Sequence, residues 1–447
     1  MTSGSGHPRF SSRTPARHTF AAVDANVRLL PPDPAPAEAA DPSAARAVTR
    51  IPAQLRRYPA VAEAARRLGP RGGDSVKIWL LSRLAMVMMT WIVAWTGFGS
   101  ISVHQHGLAS IWQHWDWLRY QKIAAVGYTH NAEHGASYAF FPGYPALLFA
   151  VHLFLRSWVF SGLIISLATG LIACVALGRI IEIEALAVFG ESEPGRARAR
   201  QAVRDGLTLF VWAPAAVFMA AGYTEAPFLA LTLCAWLAAR SRRWLIAGLL
   251  TAAAASIHIN GLFVLAALGA VFLQTRPRGL RAWLRGWPLA LPVLPVAGFM
   301  LFLKHFTGQW NAWERAEETG WNRHFSLPWK TFLNTWRYAF GHKLPAATAF
   351  EYQLELVVTF IGIVLAIWLA TRRRWPEFIY VGCSVGSLAC SHVYLSVNRE
   401  TLTWWPLWAL LGIWCVQRSW FKPLYLTLSA PCAFAIAYLF LQSRWAG

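Results

Sequence analysis

The feature that most constrains this chain is a succession of apolar runs, many of them near membrane length. They fall at residues 78–98, 158–177, 207–221, 226–239, 244–274, 287–303, 354–370, 378–395, 402–416 and 424–441. A helix needs roughly 20 apolar residues to cross a ~30 Å hydrocarbon core. Backbone polar groups at that depth must be paired internally, which helices achieve within one segment. Charged residues make up only 14% of the chain, against roughly 25% in soluble domains. The 25 tryptophans suit a protein with many short loops at the two membrane interfaces. The pattern implies an all-α polytopic membrane protein.

The formal net charge is +20, which invites a nucleic-acid reading. The position of the charge excludes it. Lys and Arg collect in the N-terminal region and in short links between apolar runs, where the positive-inside rule places them. The six cysteines, Cys174, Cys234, Cys383, Cys390, Cys415 and Cys432, all sit in apolar segments and form no CxxC pair. Neither a disulfide framework nor a zinc site is indicated, and small buried hydrophobes suffice.

Residues 1–74 are rich in Ala, Pro, Arg and Ser and read as a disordered basic cytoplasmic tail. A helical patch at 51–68 lying on the inner membrane face is the other reading of its end. Residues 75–447 form the transmembrane domain. The first span starts inside, with Arg83 one turn in and able to snorkel back. Residues 138–155 are broken by Pro142 and Pro145. The charged stretch 179–204 is expected in the cytoplasm, so by parity 138–155 is interfacial or re-entrant. Both ends of 244–274 adjoin basic residues, and the interruption at 256–261 makes a hairpin with its tip partway into the membrane. The sum is about eleven membrane segments, with outer loops at about 99–157 and 304–352 and the C-terminus outside.

The stretch 114–145, HWDWLRYQKIAAVGYTHNAEHGASYAFFPGYP, organises the rest. Asp116 sits between Trp115 and Trp117 beside a membrane-length run. It suits a catalytic base, with an N-cap for the helix expected after it as the rival reading. Glu225 opens an inbound helix, where an acid also suits the helix dipole. Arg399 reads as a phosphate contact or as an interface anchor. Glu133 reads as a solvated loop acid. His104, His106, His114, His130 and His134 crowd the first loop with spacings that make a weak metal pattern. The tryptophans of the second loop, Trp310, Trp313, Trp321, Trp329 and Trp336, read as an interfacial belt rather than a sugar platform.

Together these residues resemble the PIG-V-like mannosyltransferases of the GT-C superfamily of membrane glycosyltransferases. The resemblance rests on Trp115-Asp116, Tyr120, Ile123-Ala124, Gly127-Tyr128, Phe140-Phe141-Pro142 and Tyr144-Pro145. Tyr223-Thr224-Glu225, Asn260-Gly261, Gly320-Trp321-Asn322-Arg323, Pro328-Trp329, and Arg399 with Trp405-Pro406-Leu407 extend it. The chain departs from the family at His258, where Arg or Lys is common, and at Trp117, where a small residue is common. The resemblance implies a GT-C-like helical bundle and transfer of a hexose, mannose in the family, from a polyprenyl-phosphate donor. It implies inversion at the anomeric carbon, an outer-face site and Asp116 as base.

The chemistry is consistent. A phosphate leaves as a stable anion and needs no general acid, so one carboxylate suffices. Cations must meet the leaving charge, with Arg399 the first candidate and His258 and Arg323 next. Trp115, Tyr120, Tyr144, Glu225 and Asn260 complete the expected substrate-binding set. Membrane lipid, the lipid-linked sugar phosphate and a glycan or glycolipid acceptor are the expected partners, with no nucleic acid, no metal and no cofactor beyond the donor. The Ala- and Arg-rich composition suggests a bacterial cytoplasmic membrane. A non-catalytic membrane scaffold and a transporter of lipid-linked substrates are the alternatives.

Overall fold

A computed structural model describes residues 59–96, 107–130 and 132–444, with backbone only for 59–71 and 132–135. Residues 1–58 of the expected tail, and His104 and His106, lie outside the described residues. Every regular element among the described residues is a helix, with no strand among them. In order, α1 is Pro59–Thr96, α2 Asp116–Val126, α3 Gly143–Leu155, α4 Trp158–Phe189 and α5 Glu193–Val211. Then come α6 Glu225–Arg240, α7 Trp244–Ile257, α8 Gly261–Gln274, α9 Leu280–Leu284 and α10 Val293–Thr307. The chain continues with α11 Ala312–Trp321, α12 Pro328–Phe340, α13 Ala346–Thr371 and α14 Trp375–Ala389. It ends with α15 Val397–Glu400, α16 Trp405–Gln417 and α17 Phe421–Leu441.

Five helical segments are long and apolar enough to cross a membrane: Gly72–Thr96, Trp158–Phe189, Trp287–Thr307, Ala346–Thr371 and Phe421–Leu441. Four shorter apolar helices, α3, α7, α8 and α16, lie among them. The chain is an integral membrane protein. About eleven membrane segments are expected; five of the described helices have the length and composition of a full span, and the shorter apolar helices fall below it.

Helix α4 is the centre of the bundle and packs against α1, α3, α5, α6 and α16. Small residues allow the close approaches, as between membrane helices generally. A Cβ on Gly206 of α5 would meet the Trp408 carbonyl oxygen at 2.9 Å and Gly412 of α16 at 3.3 Å. Trp79 of α1 is fully buried against α4 and donates from Nε1 to the Leu167 carbonyl at 3.1 Å. Arg83 does not snorkel. It is buried, with its guanidinium 4.0 Å over the Trp79 ring and both terminal nitrogens without a partner.

The charged stretch 179–204 has regular structure. It is helical except for a break at 190–192, because Arg and Ala are good helix formers and Ser192 caps α5 by accepting from the Gly195 N–H at 3.3 Å. Ion pairs join that end of the bundle: Arg374 and Arg240 to Glu184, Lys422 to Asp205 and Arg204 to Asp74. The expected hairpin at 244–274 is present as α7 and α8, each 14 residues, separated by His258, Ile259 and Asn260. Residues 138–155 yield only the 13-residue α3, too short to cross a ~30 Å core. The stretch 304–352 is folded: it finishes α10, contains α11 and α12, and begins α13.

Candidate active site

The site forms where α2, the start of α6, the α7–α8 turn, α11 and α15 converge around a cavity of about 730 Å³. Asp116 is the first residue of α2, and no side chain caps that helix. Its carboxylate is used elsewhere: Oδ2 accepts from Arg399 Nη1 at 3.1 Å. The N-cap reading of Asp116 is therefore not what the structure shows. Glu225 opens α6 and accepts from Arg399 Nε at 2.7 Å and Nη2 at 2.5 Å, both on Oε1. One guanidinium thus holds two carboxylates that come from positions more than a hundred residues apart. Phe218 and Tyr223 flank it, 4.6 and 5.2 Å from the guanidinium carbon to the ring centres.

The backbone around these side chains is unusual in a consistent way. Trp115, directly before Asp116, has φ 53; Asn322, directly before Arg323, has φ 52; Ser396, which leads into α15, has φ 64. Such left-handed geometry costs a non-glycine residue on the order of 1–3 kcal/mol and persists where surrounding contacts over-determine it. Here those contacts are visible. Tyr223 Oη donates to the His114 carbonyl at 2.9 Å, and the Asn398 N–H donates to Glu355 at 3.1 Å.

Trp117, where the sequence departs from the family pattern, is a wedge. It is buried between Gly162 of α4 and Gly222, and a Cβ at either glycine would collide with its ring. The two absent side chains provide the space that a small residue after the acid would otherwise leave.

Seven of the nine expected site residues line the cavity: Asp116, Tyr120, Glu225, His258, Asn260, Arg323 and Arg399. Two do not. Trp115 is 47% exposed and is not part of the cavity lining. Tyr144 is fully buried and packs edge-on against Tyr120, with ring centres 4.7 Å apart. It supports the wall rather than forming it. His258 Nδ1 accepts from the Asn260 N–H at 3.3 Å, and Asn260 Nδ2 donates to Glu400 Oε1 at 2.8 Å.

Glu400, Glu317, Trp313 and Trp321 also line the cavity and were not singled out as site residues. Trp313 and Trp321 stand near the two ends of α11, whose acids face the cavity, so these two tryptophans belong to the wall, while Trp310, Trp329 and Trp336 are exposed. A belt and a wall look alike in composition. Only the helical phase of α11, which places 313, 317 and 321 on one face, could have separated them. Glu317 pairs with Arg323 at 3.4 Å. Burial raises the Glu317 carboxyl above its ordinary range, against the pull of Arg323. Burial pushes Glu400 up to about 7. Among the described residues no cluster of three or more His, Cys, Asp or Glu could hold a metal ion.

The model of the family described as mannosyltransferase (PIG-V) matches residues 99–280. Over this stretch the chain is PIG-V-like. The GPI alpha-1,6-mannosyltransferase 2 of Mus musculus is 37% identical over 169 residues, which is 37% of this chain and 32% of the mouse protein. The protein of the same name from Rattus norvegicus is 34% identical over 166 residues, again 37% of this chain and 32% of its own length. The alignments thus span about a third of these curated relatives. No solved structure matches the chain.

The PIG-V-like stretch contributes Asp116, Tyr120, Glu225, His258 and Asn260. Glu317, Trp321, Arg323, Arg399 and Glu400 come from beyond it. The fold joins the two groups in one cavity.

Proposed function

We propose that the chain is a membrane glycosyltransferase of the mannosyltransferase type. Its donor is a polyprenyl-phosphate hexose, mannose by kinship, and its acceptor a glycan or glycolipid at the outer face of the membrane. The observation that carries this reading is the state of Asp116. One carboxylate oxygen is held by Arg399, and the other has no hydrogen bond among the described residues and belongs to a side chain lining the cavity. A carboxylate fixed in orientation with one oxygen free is what removal of an acceptor proton requires.

The step balances simply. The acceptor hydroxyl oxygen bonds to the anomeric carbon from the face opposite the phosphate. The bond from that carbon to the phosphate oxygen breaks, the polyprenyl phosphate leaves with the electron pair, and Asp116 takes the hydroxyl proton. No second carboxyl is needed as acid.

The geometry reorders the expected phosphate contacts. Arg399 is committed to two carboxylates, whereas Arg323 has one carboxylate partner, and that partner is biased toward neutrality by burial. Arg323, with His258 across the cavity, is the better seat for the leaving phosphate. Arg399 then serves to hold the Asp116 and Glu225 side chains in position. Trp321 and Phe140, with ring centres 5.3 Å apart, and Tyr120 form an aromatic wall for a sugar face.

Inversion is testable on the product. Transfer from a β-linked polyprenyl-phosphate mannose should yield an α-mannoside, read by the one-bond carbon–proton coupling at the anomeric position. A β-mannoside product would refute the single-displacement step.

A further inference from the structure

A second cavity of about 570 Å³ adjoins the first and shares His324 and Phe325 with it. Its chemistry is opposite. The first is lined by six carboxylates, Asp116, Glu225, Glu314, Glu317, Glu318 and Glu400, against two arginines. The second is lined by Lys330, Arg337, His324, His392 and Asn334, with no carboxylate among the described residues. No described acid lies in ion-pair range of Lys330 or Arg337, whereas Arg323 nearby has Glu317.

These cations stand on α12, with Lys330, Asn334 and Arg337 spaced to share one face. The rest of α12 presents Trp329, Phe332, Leu333, Trp336 and Phe340, all exposed. A helix with exposed aromatics on one face and cations on another suits a membrane interface. It is fastened in place rather than floating. Thr331 Oγ1 donates to the Ser391 carbonyl, Asn334 Nδ2 to the His392 carbonyl at 3.2 Å, and the Tyr394 N–H to Thr335 Oγ1 at 2.9 Å. The His324 and His392 rings sit 4.7 Å apart, one from each wall.

We propose that this second cavity seats the phosphate of an anionic glycerolipid, and that this lipid is the acceptor, its headgroup hydroxyl reaching into the first cavity. The acceptor part rests on the transferase reading above; the phosphate seat does not. The arrangement divides the substrate by charge. The acceptor's phosphate is drawn to the cationic chamber, away from the carboxylates of the first, where Arg323 takes the donor phosphate and the uncharged headgroup hydroxyl meets Asp116. Lys330 and Arg337 supply charge-assisted donors, and the exposed face of α12 meets the acyl region.

The test uses the full chain in phosphatidylcholine nanodiscs containing phosphatidylglycerol, with retained lipid counted by native mass spectrometry. Wild type, Asp116→Asn and the charge-preserving pair K330R/R337K should retain phosphatidylglycerol in preference to phosphatidylcholine. The pair K330Q/R337Q, unfolding at the same temperature as wild type, should lose that preference at least about tenfold. Undiminished preference in K330Q/R337Q overturns the seat. Should the pair fail to fold, Lys330→Gln and Arg337→Gln alone are read in the same way. Displacement of phosphatidylglycerol by polyprenyl phosphate in stoichiometric amounts would assign the seat to the donor and overturn the acceptor role. With labelled donor and a total lipid extract, label should enter a lipid retained on anion exchange. Label found only in uncharged product overturns the acceptor role. No transfer at all by wild type that still selects phosphatidylglycerol would overturn the transferase reading and leave the seat standing.

Discussion

Gly162→Ala is expected to damage the site from a distance, through Trp117. Gly162 is buried near the start of α4, and the new Cβ would stand 2.8 Å from Trp117 Cη2, closer still to Cζ3, and 3.1 Å from the Gly222 Cα. Carbon atoms pack at roughly 3.5 Å or more, so the indole must retreat by at least about 0.7 Å. It has little room, being almost fully buried. Overpacking of this kind costs about 1–3 kcal/mol. Trp117 adjoins Asp116, and a misplacement near 1 Å at a reacting group costs up to about a hundredfold. Gly162→Ala should therefore lower kcat for sugar transfer roughly 10- to 100-fold while the protein still folds. Trp117→Leu alone should also be harmful, by leaving a void. The double variant G162A/W117L should recover activity above either single variant. Initial rates with labelled donor in nanodiscs, normalised to folded protein, give the comparison. Wild-type kcat in Gly162→Ala, or losses that simply add in the double variant, would refute the wedge.

Two further outcomes follow from the charges. Arg399→Leu strands Asp116 and Glu225 in a buried site and should cost about 3–5 kcal/mol in denaturant unfolding; adding Glu225→Gln should return part of that loss, and Arg399→Lys should keep the fold but lose the forked contact and most of the activity. Equal stability of wild type and Arg399→Leu would contradict the ion-pair network. Glu400, raised from an ordinary 4.5 to about 7, favours the folded state most when protonated. Its contribution is fully present below pH 4.5 and is lost as pH rises toward about 7, by about 3 kcal/mol at most. Unfolding temperatures from pH 4.5 to 7.5 should fall less steeply in Glu400→Gln than in wild type, and parallel slopes would contradict this.

What the sequence made legible was chemistry close to a strong local pattern. Asp116 stood out as an acid between tryptophans at the end of an apolar run. The hairpin at 244–274 stood out because a polar turn interrupts a long hydrophobic stretch with basic ends. What it hid were features that depend on helical phase or on distant packing. The helices across the charged segment 179–204 are one case, because hydropathy does not register helix propensity. Glu400 adjoins Arg399 in the chain, yet its tie to Asn260, 140 positions away, exists only in the fold. The role of Trp117 depended on glycines at 162 and 222, which no local reading could connect to it.

The central claim is that Asp116 is the base of a transferase that uses a lipid-linked sugar phosphate. The measurement that tests it most directly follows label from polyprenyl-phosphate mannose in native membranes, for wild type and for Asp116→Asn at matched amounts of folded protein. The account predicts a mannosylated product with wild type and a loss of at least about a hundredfold with Asp116→Asn, as expected when a required proton acceptor is removed. Transfer at the wild-type rate by Asp116→Asn would contradict it.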